Sequence, residues 1–208
     1  TDHGGERRES LCGFGRKSVK AYLREVAEFL TKVPVSDLEA VADRLWRAYR
    51  EGAQVFTCGN GGSAAAASHI VVDLAKGVDL PPGAPRFRAI SLVDNVPALT
   101  AYANDLGYEH VFSEPLKNLA RPGDVLLAVS GSGRSPNVLQ ALEAARGLGV
   151  STIGLAGRDG GKMKELADIC LVVPAQSMQQ IEDVHLAILH ALYLELKERA
   201  EAAAGART

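Results

Sequence analysis

The strongest constraint on this chain is an apolar run, Val125-Leu126-Leu127-Ala128-Val129, that stops abruptly in a loop of hydroxyls and glycines, Ser130-Gly131-Ser132-Gly133-Arg134-Ser135. After Pro136-Asn137 the chain resumes as Val138-Leu139-Gln140-Ala141-Leu142-Glu143-Ala144-Ala145, with apolar residues at helical spacing. An unbroken apolar run predicts a strand buried on both faces, and so a parallel sheet covered by helices. The loop then leads into a helix N-terminus, where unpaired amides lie at the positive end of the helix dipole. Glycines allow close backbone approach, and Ser130, Ser132 and Ser135 add hydroxyls. Such a loop suits a phosphate, although an ordinary strand-to-helix turn has the same outline. It is neither a Walker loop nor G-x-G-x-x-G.

The same unit occurs earlier, where the strand Gln54 to Cys58 ends in Gly59-Asn60-Gly61-Gly62-Ser63 and a helix follows from Gly62 to Ala75. Asn60 offers a donor and an acceptor, and Ser63 can cap the helix or touch a ligand. Two such loops at strand carboxyl ends form one crevice in a doubly wound sheet. Further strands are predicted at Arg88 to Val93, Asp124 to Val129, Val150 to Leu155 and Ile169 to Val173. Short helices are expected over Asn95 to Asn104, Glu109 to Leu119 and Gly160 to Ala167, and a long one over Ile181 to Ala200. The fold class is therefore α/β, a five-stranded doubly wound parallel sheet flanked by helices. Two amphipathic helices, Ser18 to Lys32 and Ser36 to Arg50, precede the first strand, and Ser36 with Glu39 has the pattern of a capping box. They pack either on a second subunit or on their own domain.

At 208 residues the chain suits one domain, placed at 18–199, with loose tails at 1–17 and 200–208 and a surface loop at Pro81 to Pro85. A formal net charge of -2 and few aromatics argue against nucleic acid as a partner. No apolar run reaches membrane-spanning length, and the polar start has no signal-peptide pattern. Cys12, Cys58 and Cys170 are scattered and odd in number, which reads as reduced thiols in a cytoplasmic protein.

The spacing of chemistry-bearing side chains points to two helices. His69 and Asp73 are one helical turn apart on one face, as metal ligands or as a hydrogen-bonded pair. The final helix carries Glu182, His185 and His190, and periodicity does not choose between the two histidines. Asn104-Asp105 is a turn dipeptide that could also reach sugar hydroxyls.

In that order, Cys58 to Ser63, Asn104-Asp105, Ser130 to Ser135, Gly157 to Lys162 and Ile181 to His185 resemble the motifs of sugar isomerase (SIS) domains, and among them the phosphoheptose isomerases. The resemblance spans about Val19 to Glu198. It implies a homotetramer with sites at subunit interfaces, in which the helices at 18–51 take part, and one zinc ion per subunit. It implies substrate binding at Asn60, Gly61, Gly62, Ser63, Asp73, Asn104, Asp105, Ser130, Gly131, Ser132, Ser135 and Glu182. It implies metal ligation by His69, Asp73, Glu182 and His190, which selects His190 over His185, and catalysis by Asp73 and His190. The chain departs from the family pattern at four places. Asp73 and Glu182 stand where Glu and Gln are usual, and Gly131 and Arg134 where the loop usually has Thr and Asn. Arg134 is expected near the phosphate.

The reaction so implied is isomerisation of sedoheptulose 7-phosphate to D-glycero-D-manno-heptose 7-phosphate through an enediol(ate), with Asp73 as base and His190 as acid. The rival is a non-catalytic SIS module that holds a sugar phosphate or a partner protein. One such module, a tetrameric regulator that holds the replication initiator, resembles this family but lacks the metal residues, which this chain has.

Overall fold

The computed structural model describes residues 18–77 and 84–205. The expected tail at 1–17, Cys12, most of the Pro81 to Pro85 loop and positions 206–208 lie outside the described residues.

Strands β1 (Gln54–Gly59) and β3 (Val125–Ser130) are buried at every position, as their apolar character requires. They sit side by side in one parallel sheet with β2 (Arg88–Ser91), β4 (Ser151–Gly157) and β5 (Ile169–Val173), in the order β2-β1-β3-β4-β5. The chain winds outward from β1 to β2 and then returns to lay β3 on the other side. The reversal falls between β1 and β3, where open α/β sheets leave a crevice beyond the strand ends.

Strand side chains alternate between two cores. Val55, Val125, Leu127 and Val129 meet helices α2 (Val35–Glu51), α3 (Gly62–Lys76) and α8 (Met178–Gly205) on one face. Phe56, Leu126 and Ala128 meet α5 (Ser113–Leu119), α6 (Pro136–Gly147) and Met163 of α7 (Met163–Leu166) on the other. The sheet thus places α3 and α8 together on one face, which decides the site.

The outer elements differ from expectation in detail. Helix α2 begins at Val35 with Pro34 as its N-cap and no side-chain cap bond, so Ser36 lies inside the helix and the capping box does not form. Its Val41, Leu45 and Ala48 are buried in its own domain. Helix α1 (Val19–Leu30) is capped by the Ser18 side chain and has no buried residue, with Val19 78% and Leu23 62% exposed. Its polar side chains hold α8, with the Tyr22 hydroxyl donating to Asp183 Oδ2 at 2.5 Å and Gln180 Nε2 to Glu25 Oε2 at 2.6 Å. Helix α4 (Val96–Leu106) runs on through Asn104-Asp105, followed by a 3-10 turn at Tyr108–His110. At the far end α8 continues to Gly205 with Ala200 buried, so a helix replaces the loose tail expected from residue 200. Among the described residues no helix is long and apolar enough to cross a membrane.

Candidate active site

The loops after β1 and β3 line a crevice of about 280 Å³, with Asn60, Gly61, Gly62 and Ser63 on one side and Ser130, Gly131, Ser132 and Ser135 on the other. The helix cap of α3 is Gly61, whose φ of 55° suits glycine, so Ser63 is free of the capping role and buried in the first turn. The three serine hydroxyls cluster, with Ser130 Oγ 3.5 Å from Ser132 Oγ and 3.2 Å from Ser135 Oγ. Pro136 opens α6 and brings no N–H, and the Val138 N–H turns to Asn137 Oδ1 at 3.0 Å, which leaves the Asn137 N–H of the first turn to face a ligand.

The hydroxyl loop is held from below by a second glycine turn. The backbone N–H of Met163 donates to the Gly133 carbonyl at 3.1 Å. A Cβ on Gly133, which has φ 61°, would collide with the Gly160 carbonyl, so the two loops meet backbone to backbone. Arg134 does not face the crevice. Its guanidinium forks onto Asp159 at 2.9 and 2.7 Å, and this pairing holds the Asp159 carboxyl well below the usual carboxylate range. The expectation that Arg134 sits at the phosphate is therefore corrected: its nearest anion is Asp159, across the loop pair.

Farther along α3, His69, Asp73 and His190 converge, with one ligand atom from each within 4.8 Å of the others. His69 Nε2 lies 3.0 Å from His190 Nε2 and 3.5 Å from Asp73 Oδ2, and His190 Nε2 is 3.9 Å from that oxygen. Asp73 Oδ2 is buried with no hydrogen-bond partner. Ligands about 2.0–2.1 Å from one tetrahedral ion stand roughly 3.3 Å apart, which these spacings bracket. Two imidazoles and a carboxylate whose buried oxygen has no hydrogen-bond partner make a set of three ligands that fits one divalent cation.

Glu182 stands apart from this trio. Its carboxylate lies over Gly62, where a Cβ would strike it, and it lines the crevice. Eight residues of α8 separate it from His190, about 12 Å of helix rise. Within one chain its place is with the substrate loops, apart from His69, Asp73 and His190. His185 is a core histidine: it is 1% exposed, and its Nε2 donates to the Ala156 carbonyl at 3.0 Å. Burial holds its imidazole down to about 4. Asn104 and Asp105 bond to each other at 2.7 Å on the exposed end of α4 and do not line the crevice.

Residues 20–157 match the SIS domain family. A curated phosphoheptose isomerase of Rhodospirillum rubrum is 49% identical over 143 residues, covering 69% of this chain and 75% of that protein. The chain belongs to the phosphoheptose isomerase family. A second member, from Chlorobaculum parvum, is 40% identical over 196 residues, covering 91% and 93%. The solved phosphoheptose isomerase GmhA of Neisseria gonorrhoeae superimposes with a TM-score of 0.80 at 32% identity, covering 86% of this chain and 97% of that one.

Against the usual phosphoheptose isomerase pattern, Gly131 has a local explanation. A Cβ there would run into the Met178 sulfur, so Met178 fills the space that a threonine side chain needs. Sequence reasoning singled out neither Met178 nor the residues that hold Asn60. Asn137 pairs with the Asn60 amide and Tyr108 donates to it. The -Ser-Pro-Asn- start of α6 was the only available signal for Asn137, and nothing marked Tyr108.

Proposed function

We propose that this phosphoheptose isomerase family member converts sedoheptulose 7-phosphate to D-glycero-D-manno-heptose 7-phosphate. The observation that carries the reading is that the crevice and the His69–Asp73–His190 trio share helix α3. Ser63 and His69 are six residues apart, about 9 Å of helix rise. An extended seven-carbon chain, at roughly 1.25 Å of advance per 1.5 Å bond, spans a comparable distance from its phosphate to its carbonyl end.

Ser130, Ser132, Ser135 and the Asn137 N–H at the start of α6 anchor the phosphate, and this anchorage positions the reacting end. Asp73 takes a proton from carbon 1, next to the carbonyl, through Oδ1, since Oδ2 faces the two imidazoles. His190, through Nδ1 since its Nε2 faces His69, supplies a proton to the carbonyl oxygen, giving the enediol. Asp73, its proton having exchanged with solvent, delivers one to carbon 2, and His190 takes the hydroxyl proton from the oxygen on carbon 1, which completes the aldose. His69, Asp73 and His190 would hold a zinc ion, which supplies a Lewis acid beside the developing oxyanion. The exposed apolar side chains Val19 and Leu23 of α1 support a homotetramer, in which Asn104 and Asp105 serve a site at a subunit interface.

The test is incubation of zinc-loaded protein with sedoheptulose 7-phosphate in deuterated water, followed by NMR. The aldose should form with deuterium at carbon 2. Asp73→Asn and His190→Ala should fold and lose this activity. Full activity in the double variant, or no aldose from wild type, overturns the assignment.

A further inference from the structure

Asn60 follows β1 and Asn137 lies in the first turn of α6, 77 residues on. Their side-chain amides pair reciprocally. Asn60 Nδ2 donates to Asn137 Oδ1 at 2.9 Å, and Asn137 Nδ2 donates to Asn60 Oδ1 at 2.9 Å. The Tyr108 hydroxyl donates to the same Asn60 Oδ1 at 2.9 Å.

Amide orientation is assigned from partners, and here one partner is unambiguous. The Val138 backbone N–H points at Asn137 at 3.0 Å and can meet only an oxygen. Asn137 Oδ1 is fixed by that donor, so its Nδ2 must face Asn60, and Asn60 must answer with Oδ1. Asn137 is 2% exposed, so water offers it no alternative. An amide oxygen has two acceptor positions and an amide nitrogen two hydrogens. Both acceptor positions of Asn60 are taken, and one of its hydrogens. One N–H is left, on a residue that lines the crevice.

We propose that Asn137 and Tyr108 are positioning residues that commit Asn60 to donating, so that at this point the crevice selects an acceptor oxygen of the bound sugar phosphate. The sequence allowed Asn60 either role; the pairing removes one of them. It also ties the loop after β1 to the loop after β3, so both walls of the crevice keep one spacing. The inference rests on the reading of this crevice as the sugar-phosphate site.

The experiment is a set of double-mutant cycles on the full chain. Affinity for sedoheptulose 7-phosphate is measured by calorimetry, with inorganic phosphate as a second probe, and kcat and KM are measured alongside. Asn137→Ala and Tyr108→Phe should each weaken binding about three- to tenfold, the scale of one hydrogen bond, and raise KM more than they lower kcat. In an Asn60→Ala background neither should weaken it further, because both act through Asn60. Additive losses in the double variants overturn the proposal, as does unchanged affinity in Tyr108→Phe. Should Asn137→Ala fail to fold, Tyr108→Phe carries the test, since Tyr108 is 52% exposed. A wild type that binds without isomerising overturns the reaction assignment and leaves the cycle readable. Failure to bind either probe overturns both.

Discussion

His69 and His190 lie 121 residues apart in the chain, yet their Nε2 atoms are 3.0 Å apart across the contact between α3 and α8. Asp73, one turn beyond His69, closes the triangle with an oxygen that has no other partner. Two like imidazole nitrogens at that distance are held together either by a shared proton or by a shared cation. A cation also satisfies the orphaned carboxylate oxygen.

Metal content follows directly. Wild type should carry close to one divalent ion per chain, and a chelator should lower its melting temperature. His69→Ala and His190→Ala should each weaken metal binding by more than about a hundredfold, beyond what loss of a supporting partner costs. Elemental analysis after dialysis reads the result. Equal metal content in wild type and both variants would refute the trio as a metal site.

Glu182 places a negative charge where the sugar phosphate is expected. A like charge about 4 Å away in water costs about 1 kcal/mol, or roughly fivefold in affinity. Glu182→Gln should therefore lower KM for the sugar phosphate by about that factor, with the gain shrinking as salt rises. Its metal content should not change, because Glu182 stands apart from the trio. A drop in bound metal would return Glu182 to the ligand set.

Stability should fall in acid through His185. Burial lowers its imidazole from 6.5 to about 4, opposed by the bond to the Ala156 carbonyl. The unfolded chain therefore takes up a proton below about 6.5 that the folded chain refuses until about 4. The contribution is complete above pH 6.5 and drains away as pH falls, by roughly 3 kcal/mol at pH 4. Melting temperature measured from pH 7.5 to 4.5 should drop more steeply for wild type than for His185→Gln. Parallel curves would show that another group governs the acid limb.

The packing of Met178 against Gly131 predicts a reciprocal pair. Gly131→Thr alone should overpack the crevice floor and destabilise by about 1–3 kcal/mol. Adding Met178→Ala should recover most of that loss, because the sulfur is the atom a Cβ at 131 meets first. Thermal melting of the two single variants and the double supplies the coupling. Purely additive changes would mean that the two side chains do not compete for one space.

The chain order of apolar runs and glycine loops was enough to specify the five-stranded parallel sheet, because a strand buried on both faces can be read from Val125 to Val129 alone. The same local signal placed Asn60 to Ser63 and Ser130 to Ser135 at strand ends, and the order of motifs identified the family. Spacing also put His69 and Asp73 on one face of α3, since one turn of helix is a local property. What spacing could not decide was which part of α8 would lie beside them. Glu182, His185 and His190 occupy one helix, and only the docking of α8 on α3 sends the first to the crevice, the second to the core and the third to the trio. The partners of Arg134 and Asn60 were equally hidden, because Asp159, Asn137 and Tyr108 reach them across loops that no periodicity connects. Side-chain pairing between distant segments depends on how layers pack in three dimensions, and that information does not reside in any local window of the chain.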